Sequence, residues 1–227
     1  MKIVPMQVTY IDHMGSDLSI VNAARVSFNK ESAFDENNVL KQSDEKLINY
    51  LAKHNHWTPF AHAFVSLRIK APIFVARQLV KHQVGLAWNE VSRRYVDELP
   101  EFWFPKTWRG KPENAKQGSS DKEITSLGLI GYNNHDPNGA AYNVAQHALD
   151  IYQLMIEAGV APEQARMVLP LNTMTEWIWS GSLAAFARVC KLRLDPHAQA
   201  ETHEVAEMIK EIIEPLFSVG FKAMMEN

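Results

Sequence analysis

The sequence predicts an α+β protein dominated by helices, folded as one domain around a small antiparallel or mixed sheet. Three observations support this prediction. Small and apolar residues recur at helical spacing over residues 141–155, which predicts a long helix from Gly139 to Ala158. Apolar and polar side chains alternate over residues 63–70, which is typical of a half-buried strand. Apolar residues on one face of residues 205–213 predict a final helix.

Composition narrows the class of protein. A chain of 227 residues, 46% hydrophobic and 22% charged, can bury a sizeable core, so we expect a single domain spanning residues 1–227. Its formal net charge of −3 argues against binding nucleic acid through bulk positive charge. The single cysteine, Cys190, excludes an intramolecular disulfide and fits a reducing cytoplasm. No apolar run approaches the roughly 20 residues that a membrane helix needs. We therefore expect a cytoplasmic protein without membrane or nucleic-acid partners.

The N-terminal part is expected to alternate strand and helix. Alternating apolar residues from Val4 to Tyr10 predict a first short strand. Asp17 stands where its side chain could cap a helix over residues 18–25. A second amphipathic helix is expected to begin at residues 43–45.

Three histidines, His54, His56 and His62, invite a metal interpretation of the segment that follows. No carboxylate or thiolate stands at a matching spacing nearby, whereas zinc sites usually need three or four ligands. We therefore expect no metal site. The histidines are interpreted as polar contacts to a ligand or as satisfied hydrogen-bonding groups at a helix end. From the local sequence, we likewise interpret Arg25 and Ser27 as a helix terminus with its cap.

The densest polar tract lies at the end of the stretch over residues 71–95. Pro72 suits the first position of an apolar, buried helix, and we expect the second half of that helix to carry Lys81 and His82. Such groups need partners, because an unpaired buried polar group costs several kcal/mol. Residues 89–95 then carry a high density of hydrogen-bond donors and acceptors. This density predicts a ligand-binding site.

Beyond this tract we expect a long loop over residues 96–138 and about six helices in the whole chain. The basic residues and tryptophans of the loop suggest single-stranded nucleic acid as a minor alternative, which the overall acidity disfavours. Pro162 is expected to open a short helix that leaves Arg166 partly buried and paired. Residues 177–191 are interpreted as a largely apolar helix with Cys190 in the core.

Six short segments, in this order and at this spacing, resemble the flavin-dependent thymidylate synthases. Together they reach across nearly the whole chain. The segments are Ala23-Ala-Arg-Val-Ser27, His54-Asn-His-Trp-Thr-Pro-Phe60, Lys70-Ala-Pro-Ile-Phe-Val-Ala-Arg-Gln78, Asn89-Glu-Val-Ser-Arg-Arg-Tyr95, Ala165-Arg-Met-Val-Leu-Pro-Leu-Asn172 and Leu192-Arg-Leu-Asp-Pro-His-Ala-Gln199. The resemblance implies the fold of that family, a homotetramer whose active sites are shared between subunits, and synthesis of dTMP from dUMP. It also implies methylenetetrahydrofolate as carbon donor, NADPH as reductant and FAD as hydride carrier.

The chain departs from the family at its signature, which reads Arg-His-Arg, seven residues and then Ser. Here the triplet is Lys81-His82-Gln83, and eight residues separate Gln83 from Ser92. The extra residue falls between Val84 and Trp88. Lys81 keeps a positive charge but lacks the bidentate fork of arginine, whereas Gln83 keeps donors and loses the charge.

Carried over position by position, the resemblance implies two sets of binding residues. The dUMP positions are Gln78, Lys81, Glu90, Val91, Ser92, Arg93, Arg94, Arg166 and Arg193. The FAD positions are Ser27, His56, Thr58, Lys81, His82, Gln83, Glu90, Ser182 and Arg188. At Ser182 and Arg188 the side chains differ from those usual in the family.

Two residues are expected to act in the reaction, Arg193 and Ser92. A fixed cation such as Arg193, beside uracil N3 and the adjacent carbonyl, would stabilise the negative charge that builds up when C5 is activated. No histidine is placed by sequence to act as a base for Ser92, so we interpret Ser92 as positioning dUMP rather than as a nucleophile. Cys190 lies in an apolar segment, which is consistent with a flavin hydride replacing the covalent step of the cysteine-dependent thymidylate synthases.

Two alternatives stay open at the level of sequence. A flavoprotein on the same scaffold could act on a different nucleotide. The replaced signature arginines would also suit a non-catalytic nucleotide-binding protein.

Overall fold

The computed structural model of the chain describes residues 1–96, 98–113, 118–128 and 136–227. The chain divides into two compact units. Unit 1 comprises Met1–Gln7, Lys70–Leu79 and Glu90–Glu176, and unit 2 comprises Val8–Ile69, Val80–Asn89 and Trp177–Asn227. The single-domain organisation expected from the sequence stays a prediction.

Helices dominate, with a smaller contribution from strands, which confirms the predicted fold class. The helices are α1 (Asp17–Arg25), α2 (Gln42–Lys53), α3 (Ile73–Leu79), α4 (Pro137–Glu157), α5 (Pro162–Ala165), α6 (Leu183–Arg193), α7 (Ala200–Leu216) and α8 (Ser218–Glu226). The strands are β1 (Lys2–Ile3), β2 (Gln7–Met14), β3 (Phe64–Pro72), β4 (Leu86–Glu90), β5 (Glu101–Phe102) and β6 (Met174–Ser182). Short 3-10 helices cover Val26–Phe28, Thr58–His62 and Arg166–Val168. Within the described ranges, no helix is long and apolar enough to cross a membrane.

Four strands form one sheet in the order β2-β3-β6-β4, and most of their residues belong to unit 2. Strand β3 shows the predicted alternation, since Val65, Leu67 and Ile69 are buried. Helix α6 packs against α7 and α8 in unit 2, and Phe186 and Ile209 are fully buried there. This apolar packing holds the C-terminal end of α6, where Arg193 lies.

Asp17 has a different role from the predicted one. Its carboxylate accepts hydrogen bonds from the backbone N–H groups of Val219 (2.9 Å) and Gly220 (2.8 Å) at the start of α8. The unpaired N–H groups of a helix N-terminus attract an acceptor of this kind. Ser16 precedes α1, and its N–H donates to the Ser19 hydroxyl at 3.0 Å. Asp17 therefore holds the C-terminal helix rather than capping its own.

In unit 1, β1 and β5 form a parallel pair in which Ile3 lies opposite Phe102. Phe102 is buried with Ala145 and Leu149 of α4, the long helix predicted from residues 139–158. That prediction is confirmed, with the helix starting two residues earlier at Pro137. Proline suits a first helical position, because its missing N–H would have no partner there.

The predicted helix over residues 177–191 is wrong in its first part. Strand β6 runs to Ser182, and only then does α6 begin. A short apolar run is compatible with a buried strand as well as a helix, so periodicity alone does not separate them. Gly181 is the point at which β6 comes close to the turn before β4. A Cβ at that position would lie 2.6 Å from the Gly85 carbonyl oxygen, closer than real contacts allow, so only glycine fits there.

The helix opened by Pro72 is shorter than predicted. Helix α3 ends at Leu79, so Lys81 and His82 lie in a turn after it rather than in its second half. Gly85 has φ +77°, a left-handed conformation that suits glycine, and it ends the turn before β4.

Two further predictions, the position of the first strand and the number of helices, are also wrong. The first long strand lies at Gln7–Met14 rather than at residues 4–10. The described ranges hold eight α-helices rather than about six, because the C-terminal segment divides into α7 and α8. Pro215 lies within the last turn of α7, where a proline ring disrupts the helix and favours a break.

Candidate functional site

The tract from Glu90 to Tyr95 lies in unit 1, and its backbone forms a turn. The N–H of Val91 donates to the Glu176 carbonyl at 2.8 Å, which continues the β4 pairing by one residue. The N–H of Tyr95 donates to the Ser92 carbonyl at 3.0 Å and closes the turn. The Glu90 carboxylate accepts a hydrogen bond from Thr175 Oγ1 at 2.7 Å. The tract is therefore anchored at one end. Arg94 and Tyr95 are exposed, whereas Ser92 and Arg93 are half-buried.

Within this turn, Ser92 and Arg94 are paired. Arg94 Nε donates to Ser92 Oγ at 3.1 Å, and the guanidinium lies over the Tyr95 ring, 5.0 Å from its centroid. Arg93 Nη1 donates to the Glu98 carbonyl at 3.0 Å. Since Ser92 Oγ accepts from a cation, it is oriented as a polar contact rather than activated as a nucleophile.

Two further predicted dUMP positions lie in unit 1. Gln78 is half-buried at the end of α3. Arg166 was predicted to be partly buried, and the structure contradicts this, because Arg166 is exposed. Helix α5 has only four residues, so Arg166 falls on the 3-10 turn that follows it at the surface. Its Nε donates to the Glu163 carbonyl at 3.2 Å.

Two predicted site residues of unit 2, His82 and Arg193, are in contact with each other. Arg193 is the last residue of α6, and its Nε donates to His82 Nε2 at 3.0 Å. Both side chains are half-buried. Burial, together with the charges of Arg193 and Arg188, lowers the pKa of His82. Burial also lowers the pKa of Arg193. The imidazole is therefore held neutral, as an acceptor, and the guanidinium keeps its charge because its ordinary pKa is so high.

Two predicted flavin positions lie beside the turn that carries the extra residue. Arg188 is exposed on α6, and its Nη2 donates to the Val84 carbonyl at 2.6 Å. Ser182 is buried, and its hydroxyl caps α6 by accepting from the Ala185 N–H at 3.3 Å. The Ser182 N–H donates to the Gly85 carbonyl at 3.2 Å. Ser182 thus has a structural role that sequence reasoning did not foresee.

The other predicted flavin positions of unit 2 are exposed side chains, namely Ser27, His56, Thr58, Lys81 and Gln83. Tyr50, which the sequence did not single out, packs its ring against His54 (centroids 4.3 Å apart) and near His56 (6.3 Å). Among the described residues, no group of three or more His, Cys, Asp and Glu side chains could hold a metal ion.

A partly buried hydrogen-bond network involves residues on both sides of Ser27 in the sequence. Arg25 Nη2 pairs with the carboxylate of Asp44, which is fully buried, and Ser32 Oγ donates to the same carboxylate at 2.5 Å. Asn22 and Ser32 exchange two further hydrogen bonds, which hold the segment after Ser27 against α1. Sequence reasoning treated Asp44 only as part of a helix start. Arg25 and Asp44 are 19 positions apart, and nothing in the local sequence signals that the two side chains pair.

Comparisons with known proteins agree on one family. A family described as thymidylate synthase complementing protein matches residues 9–217. The chain is 37% identical over 224 residues to a flavin-dependent thymidylate synthase of Thermus thermophilus, covering 97% of this chain and 76% of that protein. It is 35% identical over 216 residues to the enzyme of the same name from Thermosipho melanesiensis, covering 95% and 89%. The chain belongs to the flavin-dependent thymidylate synthase family.

The fold of a solved structure supports the same family. The chain superimposes on a UMP/dUMP methylase, PolB, from Streptomyces cacaoi bound with 5-Br dUMP, with a TM-score of 0.80 and 27% identity. The match covers 100% of this chain and 97% of the other. The family predicted from the six sequence segments is thus confirmed.

Proposed function

We propose that this flavin-dependent thymidylate synthase family member converts dUMP to dTMP, with methylenetetrahydrofolate as carbon donor, NADPH as reductant and FAD as hydride carrier. Family membership over nearly the whole chain supports the class of reaction. The observation that carries the proposal is the contact between Arg193 and a neutral His82, which leaves a positive charge available to a substrate that becomes anionic.

The side chains of the Glu90–Tyr95 tract and Arg166 fit a nucleoside monophosphate. Arg94 and the exposed Arg166 offer guanidinium groups, which bind phosphate through paired N–H donors. Ser92 fixes the orientation of Arg94. We assign this group of residues to the binding of dUMP, together with the remaining predicted dUMP positions.

The donors of unit 2 fit FAD. Its diphosphate is an anion with many acceptor oxygens, and the exposed Lys81, Ser27 and Thr58 supply a cation and two hydroxyl donors. The exposed ring of His56, close to that of Tyr50, can contact a flat aromatic ring. When bound, FAD would carry the hydride that reduces the transferred carbon to a methyl group.

In the reaction, the protein's contribution would be electrostatic and positional. Arg193 would stabilise negative charge on the uracil ring as C5 attacks the carbon donor. Its partner His82 accepts a hydrogen bond on Nε2 and carries no charge, so it orients the guanidinium without neutralising it. Ser92 would hold dUMP in place and form no covalent bond with it.

We also propose that the protein assembles as a homotetramer with active sites shared between subunits. Large apolar side chains stand exposed beside the predicted site positions. Val26 (71% exposed) and Phe28 (76%) flank Ser27, and Met167 (75%) follows Arg166. Large apolar side chains that are exposed in a single subunit commonly become buried in an assembly. Light scattering coupled to gel filtration would give the mass of the assembly, and a monomer would contradict the proposal. The cytoplasmic location stays a prediction.

The decisive experiment is an assay of purified protein for dTMP formed from dUMP with FAD, NADPH and methylenetetrahydrofolate. Parallel reactions with UMP test the alternative nucleotide, since PolB is described as a UMP/dUMP methylase. Formation of dTMP that requires all four components supports the proposal. A yellow protein that oxidises NADPH with a nucleotide but makes no methylated product would indicate an altered flavoprotein. Binding of dUMP without flavin would indicate a non-catalytic binding protein.

A further inference from the structure

Strand β2 lies at one edge of the four-stranded sheet, and β3 is its only neighbour in that sheet among the residues that the structure describes. The strand is eight residues long, and every residue except Val8 is exposed. Tyr10 is 41% exposed, Ile11 44% and Met14 61%. An edge strand with exposed apolar side chains is a template for pairing with another chain. The outer edge of β2 is therefore a candidate interaction surface.

This edge lacks the features by which proteins commonly protect a free strand. Protected edges are typically short, or they carry lysine or proline. Residues 7–14 contain neither lysine nor proline, and the strand is longer than the usual length of about six residues. The strand is also anchored to the core of unit 2, because the ring of His13 lies edge-on to the fully buried Phe217, with centroids 5.8 Å apart. A fixed and unprotected edge is suited to stable pairing.

Two polar groups of β2 find partners only within the strand itself. The His13 N–H donates to the carboxylate of its neighbour Asp12 at 2.8 Å, and the Tyr10 hydroxyl contacts His13 Nδ1 at 2.6 Å. All three residues are exposed. A hydrogen bond at the surface exchanges with water at little net cost, so these groups can change partners when another strand arrives.

The sequence of β2 is nearly self-complementary about Ile11. In an antiparallel pair of two identical strands centred on this residue, Ile11 faces Ile11 of the other copy. The remaining facing pairs are Val8 with Met14, Thr9 with His13, and Tyr10 with Asp12. Apolar residues then meet apolar residues, and a phenol O–H meets a carboxylate, which are favourable cross-strand pairs. A pair centred on Asp12 would instead place two carboxylates opposite each other, which is destabilising.

We propose that β2 pairs in antiparallel fashion with β2 of a second copy of the chain, around a two-fold axis at Ile11. The two four-stranded sheets then form one continuous sheet of eight strands. The inference rests on the proposed assembly, because it names the strand that joins two subunits. Such a two-fold contact is closed, so it covers both edges at once and leaves neither free for further pairing.

Disulfide cross-linking tests the pairing directly. Residues that face each other in an antiparallel pair have Cα atoms about 4.5 to 5.5 Å apart, within the range for a disulfide. Oxidised Ile11→Cys should therefore run at twice the chain mass on a non-reducing gel. Thr9→Cys is the matched control, because Thr9 is also exposed on β2 but lies about 13 Å along the strand from Thr9 of the other copy. The native Cys190 is buried and does not compete.

A second set of cysteine variants tests the register. Thr9→Cys and His13→Cys should each stay unlinked, whereas the variant that carries both substitutions should link two chains, because the two positions face each other across the pair. Within one chain these positions are about 13 Å apart, too far for a disulfide. Circular dichroism and light scattering before oxidation would show that each variant is folded and assembled.

A charged substitution tests whether the pairing holds the assembly together. Ile11→Lys places two like charges opposite each other at the axis, which destabilises a strand pair. We expect the mass of the assembly, measured by light scattering, to fall by half. Val144→Lys introduces a lysine at another exposed apolar position, on α4 (65% exposed), and should leave the mass unchanged. If Ile11→Lys fails to fold, the cysteine variants still decide.

Two results would overturn the inference and leave the proposed reaction and assembly intact. One is an assembled Ile11→Cys protein that stays unlinked under oxidation, which would show that the edge is open or is covered by another part of the assembly. The other is equal linking of Thr9→Cys and Ile11→Cys, which would exclude the proposed register. If the wild type is a monomer, the proposed assembly fails and the inference fails with it, whereas the assay for dTMP tests the reaction separately.

Discussion

Arg25 and Arg193 are both held in place by another side chain of unit 2, but their partners differ in charge. Arg25 pairs with Asp44, a fully buried carboxylate. Burial alone would raise the pKa of Asp44, but hydrogen bonds from Ser32 and Arg25 and the charge of Arg25 outweigh it, so the pKa is lowered. Arg193 donates instead to His82, whose own pKa is lowered by burial and by nearby guanidinium groups.

Arg25 is therefore a structural arginine, whereas Arg193 is suited to contact a ligand. The charge of Arg25 is cancelled within the protein, so the pair can only hold the segments that carry Ser27 and Ser32. The charge of Arg193 is not cancelled by its partner, so the guanidinium is oriented and still able to stabilise an anion. Both arginines occur in segments that resemble the family, and only their partners reveal the different roles.

The largest effect should come from removing the uncancelled charge. We expect Arg193→Ala to lower the rate of dTMP formation by about 10²–10³-fold, the range for loss of one fixed group that stabilises transition-state charge. The assembly and the unfolding temperature should stay close to those of the wild type. Turnover and gel filtration measured side by side would show this, and near-normal turnover would remove Arg193 from the mechanism.

Breaking the Arg25–Asp44 pair should lower the stability of the fold rather than the rate of the reaction. Asp44→Asn leaves Arg25 without a counter-charge, and loss of one partner of a buried pair typically costs about 3 kcal/mol in the free energy of unfolding. Urea unfolding would measure this. Asp150→Asn is the control, because Asp150 is exposed and accepts one hydrogen bond from Gln146 at 2.8 Å. A loss as small as that of the control would show that the Arg25–Asp44 pair contributes little.

The same pair makes a prediction about acid. Because the folded state lowers the pKa of Asp44, its contribution to stability is complete above the unfolded pKa, about 3.9 for an aspartate, and is lost as pH falls through the folded pKa. The stability of the wild type should therefore decline more steeply than that of Asp44→Asn below about pH 4. The free energy of unfolding of both proteins would be measured in urea at several acidic pH values. If it fell equally with pH in the wild type and in Asp44→Asn, the assignment would be contradicted.

The His82–Arg193 contact can be tested by titration. The pKa of His82 is lowered in the folded state, so the stability from its neutral form is complete above the unfolded pKa of about 6.5 and is lost as pH falls below it. In Arg193→Gln the nearby cation is gone while most of the burial remains, so the pKa of His82 should rise part of the way toward its ordinary value. Histidine NMR spectra would follow it, with His82→Asn identifying the signal. An unchanged pKa would mean that the two groups are not coupled.

The smallest expected effect concerns Ser182, which is a predicted flavin position and also the cap of α6. Ser182→Ala removes the hydrogen bond from the Ala185 N–H to its hydroxyl and should lower the free energy of unfolding by about 1 kcal/mol. If capping is its only role, FAD affinity should not change. Fluorescence titration with FAD, measured alongside urea unfolding, would separate the capping role from a cofactor-binding role. Weaker FAD binding in Ser182→Ala would indicate that Ser182 also contacts the cofactor.

Sequence reasoning succeeded where local pattern decides structure. The long helix α4 and the strand β3 each display one period over many residues, and both were predicted close to their observed bounds. The prediction is wrong over residues 177–182, where a short apolar run fits a strand as well as a helix and β6 pairs between β3 and β4 in the sheet. It also failed for Arg166, because the brevity of α5 places that residue on an exposed turn.

The sequence by itself determined the fold class, the long helix α4, the strand β3 and the family, since each of these depends on residue types at regular or characteristic spacings. Only the tertiary structure decided which side chains meet. The contact of Arg193 with His82 joins residues 111 positions apart, and that of Arg188 with Val84 joins residues 104 apart. No local periodicity encodes such contacts, because they arise when helices and strands pack. That packing determines whether an arginine's charge is cancelled, as at Arg25, or stays available to a ligand, as at Arg193.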